Sequence, residues 1–214
     1  MKSNKKGLWL IAIIAIVGFI GIACDPDKDT GNNQGNNQGN NLQYKLGDTG
    51  PGGGKIFYIN SSGFTVQGHA GSFDSYTAHF LEAASDDMPT MLEWQLDSTS
   101  IEGTGDDIGT GRRNTKLIVD HASETPAASA CDDYRGGGKD DWFLPSRYEL
   151  NQLYINRTHV GNLTNNNYWS SSQQTTANLI TGRHHAWYQD FLYGLYYNHH
   201  DKDSQYSVRP VRAF

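Results

Sequence analysis

The sequence predicts an α+β domain over residues 44–214, and three observations predict it. Aromatic, β-like runs lie towards both ends of this stretch, capped helix signals lie in its middle, and glycine-rich turns separate them. The stretch is long enough to bury one sizeable core. Five Trp, 12 Tyr and eight Phe in the chain supply the apolar bulk.

Lys55 to Asn60 (KIFYIN) reads as a first strand after the turn Gly50-Pro51-Gly52-Gly53-Gly54. Phe80 to Ala84 is a second short apolar run. Thr115 to Ala122 reads as a helix with Asn114 as its N-cap. Thr125-Pro126 opens another, since Thr caps well and Pro fits the first helical position. That helix runs through Ala127, Ala128, Ala130 and Cys131 and stops before Gly136-Gly137-Gly138. Ser146 and Glu149 form a capping box, and Leu150, Leu153 and Tyr154 then fall on one helical face. Trp142 to Pro145 leads into this helix as extended chain. The remaining runs, Tyr168-Trp169-Ser170, Ala186 to Phe191 and Ser207 to Arg212, are β-like.

The start of the chain has a different character. Lys2, Lys5 and Lys6 precede an uncharged apolar run, Leu8 to Ala23. A basic start followed by a short apolar run is a secretory signal, and this run is shorter than the about 20 residues that span a bilayer. Gly21-Ile22-Ala23-Cys24 resembles a lipobox, so residues 1–23 read as a cleaved signal peptide and Cys24 as the lipidated residue. An uncleaved N-terminal helix is the alternative, and both predict membrane attachment. The remainder of 24–43 reads as a flexible linker, because Gly31 to Asn41 repeats Gly-Asn-Asn-Gln and has nothing to bury. A coil of roughly 20 residues holds a domain about 25 Å from its anchor. The expected location is extracytoplasmic, on the cell membrane or the outer membrane.

The chain carries a net charge of −6, and −9 once residues 1–23 are removed (14 basic against 23 acidic residues). Such a field gives no long-range attraction to nucleic acid or to sulfated polysaccharide. With Cys24 acylated, Cys131 has no partner and the fold has no disulfide framework. A lone cysteine in an Ala-rich stretch reads as a small buried apolar residue.

An ordered series of motifs carries a family resemblance. It runs Gly47-Asp48-Thr49-Gly50-Pro51, Leu81-Glu82-Ala83-Ala84, Ile108-Gly109-Thr110-Gly111 with Asn114-Thr115, and Cys131-Asp132-Asp133-Tyr134. It continues with Asp141-Trp142-Phe143-Leu144-Pro145-Ser146 and Glu149-Leu150, Tyr168 to Ser172, and Val208-Arg209-Pro210-Val211-Arg212. The series resembles the C-terminal domain of Lcl-type collagen-like adhesins. Its Trp-x-Leu-Pro-Ser and Val-Arg-x-Val-Arg elements are also similar to C-type-lectin-like and formylglycine-generating-enzyme-like folds. The resemblance implies a single C-type-lectin-like domain with short helices, a mostly antiparallel, twisted sheet and paired N- and C-terminal strands. It also implies an adhesion or polysaccharide-binding role. Trp142, Pro145, Ser146, Glu149, Trp169, Arg209 and Arg212 carry it and read as structural. The tryptophans supply bulk, Glu149 serves the capping box, and the arginines flanking Pro210 are expected to pair with internal acids or carbonyls.

Most candidate chemistry fails on spacing. Gly52-Gly53-Gly54-Lys55 lacks the first Gly and the Ser/Thr of a phosphate loop, having Thr49 and Ile56 there. Asp25-x-Asp27-x-Asp29 lacks the Gly and Glu of a calcium loop, and Glu102 to Asp107 offers at most weak backbone oxygens. The tripeptides of calcium-dependent sugar-binding lectins are absent, as are the paired cysteines of the formylglycine-generating branch. His184-His185 and His199-His200-Asp201 read as exposed loop histidines, against the alternative of a zinc site shared by two strands. No cofactor is expected.

The aromatic stretch from Trp187 to His200 is the candidate ligand surface. Trp187, Tyr188, Tyr193, Tyr196 and Tyr197, with Asn198 and His199, offer ring faces and short polar groups suited to sugars or protein surfaces. Strand alternation should turn about half of the rings inward. The expectation is a non-catalytic adhesion module bound to the membrane through Cys24, with a glycan or a host or envelope protein as partner and no nucleic acid. A structural envelope lipoprotein and a metal-dependent enzyme using the histidines are the alternatives.

Overall fold

Neighbouring residues on two short segments point into different cores, and this alternation organises the molecule. Phe143 and Tyr168 join one buried cluster with Phe57, Leu81, Leu150, Leu153, Phe191 and Val211. Leu144 and Trp169, one residue further on, join a second with Trp94, Ile118, Cys131, Tyr188 and Val208. Extended backbone sends successive side chains to opposite faces, so these segments form the wall between the two clusters. Cys131 is fully buried there, and burial raises its thiol well above the ordinary range.

The computed structural model describes residues 43–97, 99–121, 124–174 and 184–214. Cys24, the acidic run at Asp25, Asp27 and Asp29, and the linker up to residue 42 lie outside the described residues. No helix among the described residues is long and apolar enough to cross a membrane. In chain order the elements are β1 (Lys55–Val66), β2 (Tyr76–Ala83), β3 (Leu92–Glu93), α1 (Gly111–His121), α2 (Pro126–Asp132), a 3-10 turn (Gly136–Gly138), α3 (Arg147–Ile155), α4 (Arg157–Val160), β4 (Asn167–Gln173), β5 (Ala186–Asp190), β6 (Tyr196–Tyr197), β7 (Gln205–Tyr206) and β8 (Val211–Ala213). The class is mixed α+β. The named strands form three small antiparallel sheets, ordered β1-β2-β8, β3-β7 and β4-β5-β6. The first and last strands share a sheet, but each pairs with β2 and not with the other.

Several boundaries differ from expectation for local reasons. β1 continues past Asn60 to Val66, because a register shift between Ile59 and Phe64 absorbs the turn-like Asn-Ser-Ser-Gly. β2 begins at Tyr76, ahead of the apolar run. α1 begins at Gly111, and Asn114 is not its cap. The Asn114 side chain instead reaches back to the preceding loop, accepting from Gly105 N at 2.9 Å and donating to Gly105 O at 2.7 Å. Pro126 does open α2, but the Thr125 hydroxyl bonds Ser129 Oγ and caps no backbone N–H.

The glycine-rich turn before β1 is an anion cradle turned inward. Gly52 N donates to both carboxylate oxygens of Glu82 at 3.0 Å, and Gly54 N donates at 2.7 Å. Glu82 is fully buried, with Arg212 Nη1 3.1 Å from Oε2. The rest of the Arg212 fork holds Asp141 through Nε and Nη2, both at 2.8 Å. This turn therefore uses phosphate-loop geometry on an internal carboxylate.

Glu149 does more than complete its capping box. Its Oε2 accepts from Ser146 N at 2.7 Å, as a capping box requires, while Oε1 accepts from Gly109 N at 2.8 Å and fixes the loop ahead of α1. Burial lifts the carboxyl to about 7, against the pull of the Ser146 and Gly109 N–H groups. Between 4.5 and about 7 the folded chain therefore holds a proton that the unfolded chain has released. Stability from this group is full below that window and is lost as pH rises through it. Across pH of about 4 to 8 the thermal midpoint of the wild type should fall more steeply than that of Glu149→Gln, a difference worth a few kcal/mol at most. Parallel pH profiles for the two proteins would refute the assignment.

Candidate functional site

Ser146 sets the start of α3, and its cap fixes which helical face meets β5. Arg147, Asn151 and Tyr154 lie along that face, opposite Trp187, Gln189 and Phe191. A helical turn advances about 5.4 Å and two strand residues about 6.6 Å, so the two rows stay in step over three contacts. The Arg147 guanidinium sits 3.8 Å from the centroid of the Trp187 ring. Asn151 Oδ1 accepts from Gln189 Nε2 at 3.2 Å, and the Tyr154 ring meets Phe191 edge-on at 5.3 Å.

β6 adds Tyr196 opposite Gln189, with its ring 5.0 Å from the Arg147 guanidinium. Tyr148 stands 5.6 Å from the same group, and Asp106 Oδ2 is 3.3 Å from its Nη1. One cation is thus set among three aromatic rings and one carboxylate. Each ring contributes about 0.5–2 kcal/mol according to its desolvation. Burial raises the Tyr196 phenol, and the Arg147 charge opposes that rise.

The β5–β6 hairpin is a rigid projection. Asp190 Oδ1 accepts from Leu192 N at 2.7 Å and Tyr193 N at 3.3 Å, while Gly194 N donates to Asp190 O at 2.7 Å. Gly194 has φ of +77°, a left-handed conformation that favours glycine, and a Cβ there would lie 2.4 Å from the Tyr154 ring, which would have to move aside. The turn holds Leu192, Tyr193 and Leu195 in solvent, with Tyr193 71% exposed. With Tyr148 and Ile155 of α3, these are five of the eight large exposed hydrophobics among the described residues. Such concentration marks one face of the molecule as distinct.

The strand pleat divides the predicted ligand residues. Trp187 and Tyr196 line the α3 side. Tyr188 and Tyr197 are register partners on the other side, with ring centroids 5.5 Å apart. There Tyr188 packs against Trp169 at 5.8 Å and Tyr206 at 4.8 Å, and burial pushes its phenol upward. Tyr188 is therefore core and not ligand surface. Tyr193 occupies the hairpin tip. Asn198 gives its backbone oxygen to His185 Nδ1 at 2.9 Å, and His199 Nε2 is 3.4 Å from the Tyr188 hydroxyl. Sequence reasoning missed Arg147, Tyr148 and Asp106. The spacing of 147, 151 and 154 after the Ser146 cap was the available signal for the first.

The model of the Lcl C-terminal domain family matches residues 84–212. The chain belongs to the Lcl C-terminal domain family. A comparison with curated proteins gives no match. The matched part of the Lcl domain includes α3, the Arg147 cluster and the β5–β6 hairpin, while the Gly52–Gly54 turn lies ahead of it.

The residues that carried the resemblance make internal contacts in this Lcl domain. Trp142 Nε1 donates to Gly136 O at 3.1 Å, and Trp169 Nε1 to Leu92 O at 2.9 Å. Pro145 O accepts from Ser171 N at 2.7 Å. Arg209 is buried and binds Asp87 Oδ1 at 2.6 Å, Ala84 O at 2.7 Å and the Asn162 carbonyl. The histidines are not all exposed loop residues. His185 is buried because the loop after β6 covers the start of β5, and its Nε2 lies 3.4 Å from Asp201. His200 bonds the Tyr206 hydroxyl, and burial, aided by His199, lowers its pKa. Among the described residues no three His, Cys, Asp or Glu side chains are placed to hold a metal ion. The oxygens of the Glu102–Asp107 loop are used internally. Gly105 O accepts from Asn114, Thr110 and Ser172, and Asp107 O accepts from Thr110 and Ser146.

Proposed function

We propose that this chain is a non-catalytic adhesion module, held outside the cytoplasm by a lipidated Cys24, and that it grips its partner with the α3–β5–β6 face. The rigid hairpin that keeps Tyr193 71% exposed between Leu192 and Leu195 carries this reading. Exposed large apolar side chains gathered on one turn mark an interaction surface, where scattered ones do not. Leu192, Leu195 and Ile155 offer nothing to sugar hydroxyls, so they favour a protein surface. Tyr196 and Trp187, clasping Arg147, supply the amphipathic rings typical of binding hot spots. The membership in an adhesin-related family and the basic-apolar start ahead of Cys24 support the same reading.

The test uses the full-length chain carrying Leu192→Ser, Tyr193→Ala and Leu195→Ser together, displayed on cells and assayed against host matrix and envelope proteins and a glycan array. All three side chains are solvent-facing, so circular dichroism and the melting midpoint should be unchanged. Retention should fall on the order of tenfold or more. Undiminished retention would remove this face from consideration, and loss confined to the glycan array would assign the partner to carbohydrate.

A further inference from the structure

The loop between β6 and β7 is fastened by a lysine that meets only neutral oxygens. Lys202 is 1% exposed. Its Nζ lies 2.7 Å from Gln95 Oε1, 2.7 Å from Thr99 O and 2.6 Å from Gln173 Oε1. The Trp94 ring covers it from a centroid distance of 4.5 Å. Both glutamines are fixed oxygen-inward by bonds at their amide nitrogens. Gln95 Nε2 donates to Asp97 Oδ1 and Thr99 Oγ1, and Gln173 Nε2 donates to Ser100 Oγ. Gln173 Oε1 also accepts from Ile101 N at 2.9 Å, which ties the cage to the chain before α1.

Three fixed acceptors need three protons. An ammonium has three donors and no acceptor, whereas a neutral amine would aim its lone pair at one of these oxygens. Burial pulls the group down to about 7, with the Asp97 charge opposing it through space. The three oxygens favour the protonated form against that pull. The surroundings also define which ions suit the cage. With no carboxylate donor, it cannot balance a divalent charge, and its contacts are slightly long for calcium, which takes oxygens at about 2.3–2.6 Å. Neutral oxygens with an aromatic lid suit an ion of the ammonium or potassium class.

We propose that Gln95, Thr99, Gln173 and Trp94 form a monovalent-cation site that the chain fills with its own Lys202 ammonium. Lys202 is thereby a positioning residue. Its carbonyl accepts from Trp94 N at 2.8 Å and Gln95 N at 3.2 Å, so both ends of the residue pin the loop that follows β6. The inference does not depend on what the α3–β5–β6 face binds.

Lys202→Ala, in the full-length chain in detergent, empties the cage. The variant should melt well below the wild type in choline chloride. Potassium chloride or propylammonium chloride at the same ionic strength should restore most of that loss, and neither should move the wild type. Equal midpoints in all three salts, or no loss on substitution, would overturn the proposal. Should the variant fail to fold, the wild type decides. With lysine labelled at Nζ, nuclear magnetic resonance at about pH 6 should show one slowly exchanging three-proton ammonium that Lys202→Arg removes. A neutral-amine shift for Lys202 would count equally against it.

Discussion

Gly54→Ala costs the domain about 4 kcal/mol or more, enough to unfold a chain of ordinary stability. A Cβ at this position would lie 2.0 Å from the Ala83 carbonyl oxygen and 2.8 Å from its carbon. These are backbone atoms of β2 and cannot swing aside. Lys55 and Ala83 form the first register pair of β1 and β2, so the clash falls where the sheet begins. Relief by withdrawal of the turn would also break the bond from Gly54 N to the buried Glu82. Gly53→Ala is the control. Its added Cβ meets nothing within 4 Å, although φ is +78°, so the cost there is the left-handed backbone alone, about 1–2 kcal/mol. Urea unfolding should separate the two variants clearly. Similar midpoints would mean that the turn is plastic and the cradle unimportant.

Arg209→Met should cost about 3–5 kcal/mol, the range for stripping one partner from a buried ion pair. The guanidinium is fully buried and uses its three nitrogens on two segments, the loop after β2 (Ala84 and Asp87) and the turn at Asn162. Its removal leaves Asp87 facing the Tyr168 hydroxyl, 2.6 Å from Oδ2, without a cation beside it, and leaves the Ala84 and Asn162 carbonyls short of a donor. Arg209→Lys should recover little, because one ammonium cannot reproduce a fork that spans three directions. Adding Asp87→Asn to Arg209→Met should return part of the loss, since the unpaired charge is then gone. A loss below about 1 kcal/mol for Arg209→Met in denaturant titrations would contradict this account.

Local signals told the truth about local structure. The Ser146–Glu149 box, Pro126 at the head of α2 and the runs at Tyr168 and Ala186 stand where the sequence puts them, whereas the expected run Ser207–Arg212 is strand only from Val211. They were legible because their causes span four residues or fewer. Asn114 misled because a residue with cap chemistry can spend it on a loop nine positions back. The Gly52–Gly54 turn takes its carboxylate from Glu82, and only the β1–β2 pairing brings that residue near. The placement of the aromatic stretch was half legible. Alternation warned that some rings would turn inward, and Tyr188 does so. The contribution of Arg147 and Tyr148 needed the packing of a helix on a distant strand. Lys202 gave no signal at all, since its partners Gln95, Thr99 and Gln173 are ordinary residues gathered from far along the chain.

Phe214 stacks on Phe80 at 5.4 Å, and Tyr44 meets both rings edge-on, at 5.3 Å from Phe80 and 5.6 Å from Phe214. The Phe214 carbonyl also accepts from His79 N and Phe80 N. Both ends of the described domain are therefore stitched to one spot on β2. A force applied at Tyr44 is delivered to a strand clamped on both sides, by β1 and by β8. The exposed hairpin belongs to a different sheet, so a load placed on it would enter the molecule at a separate point.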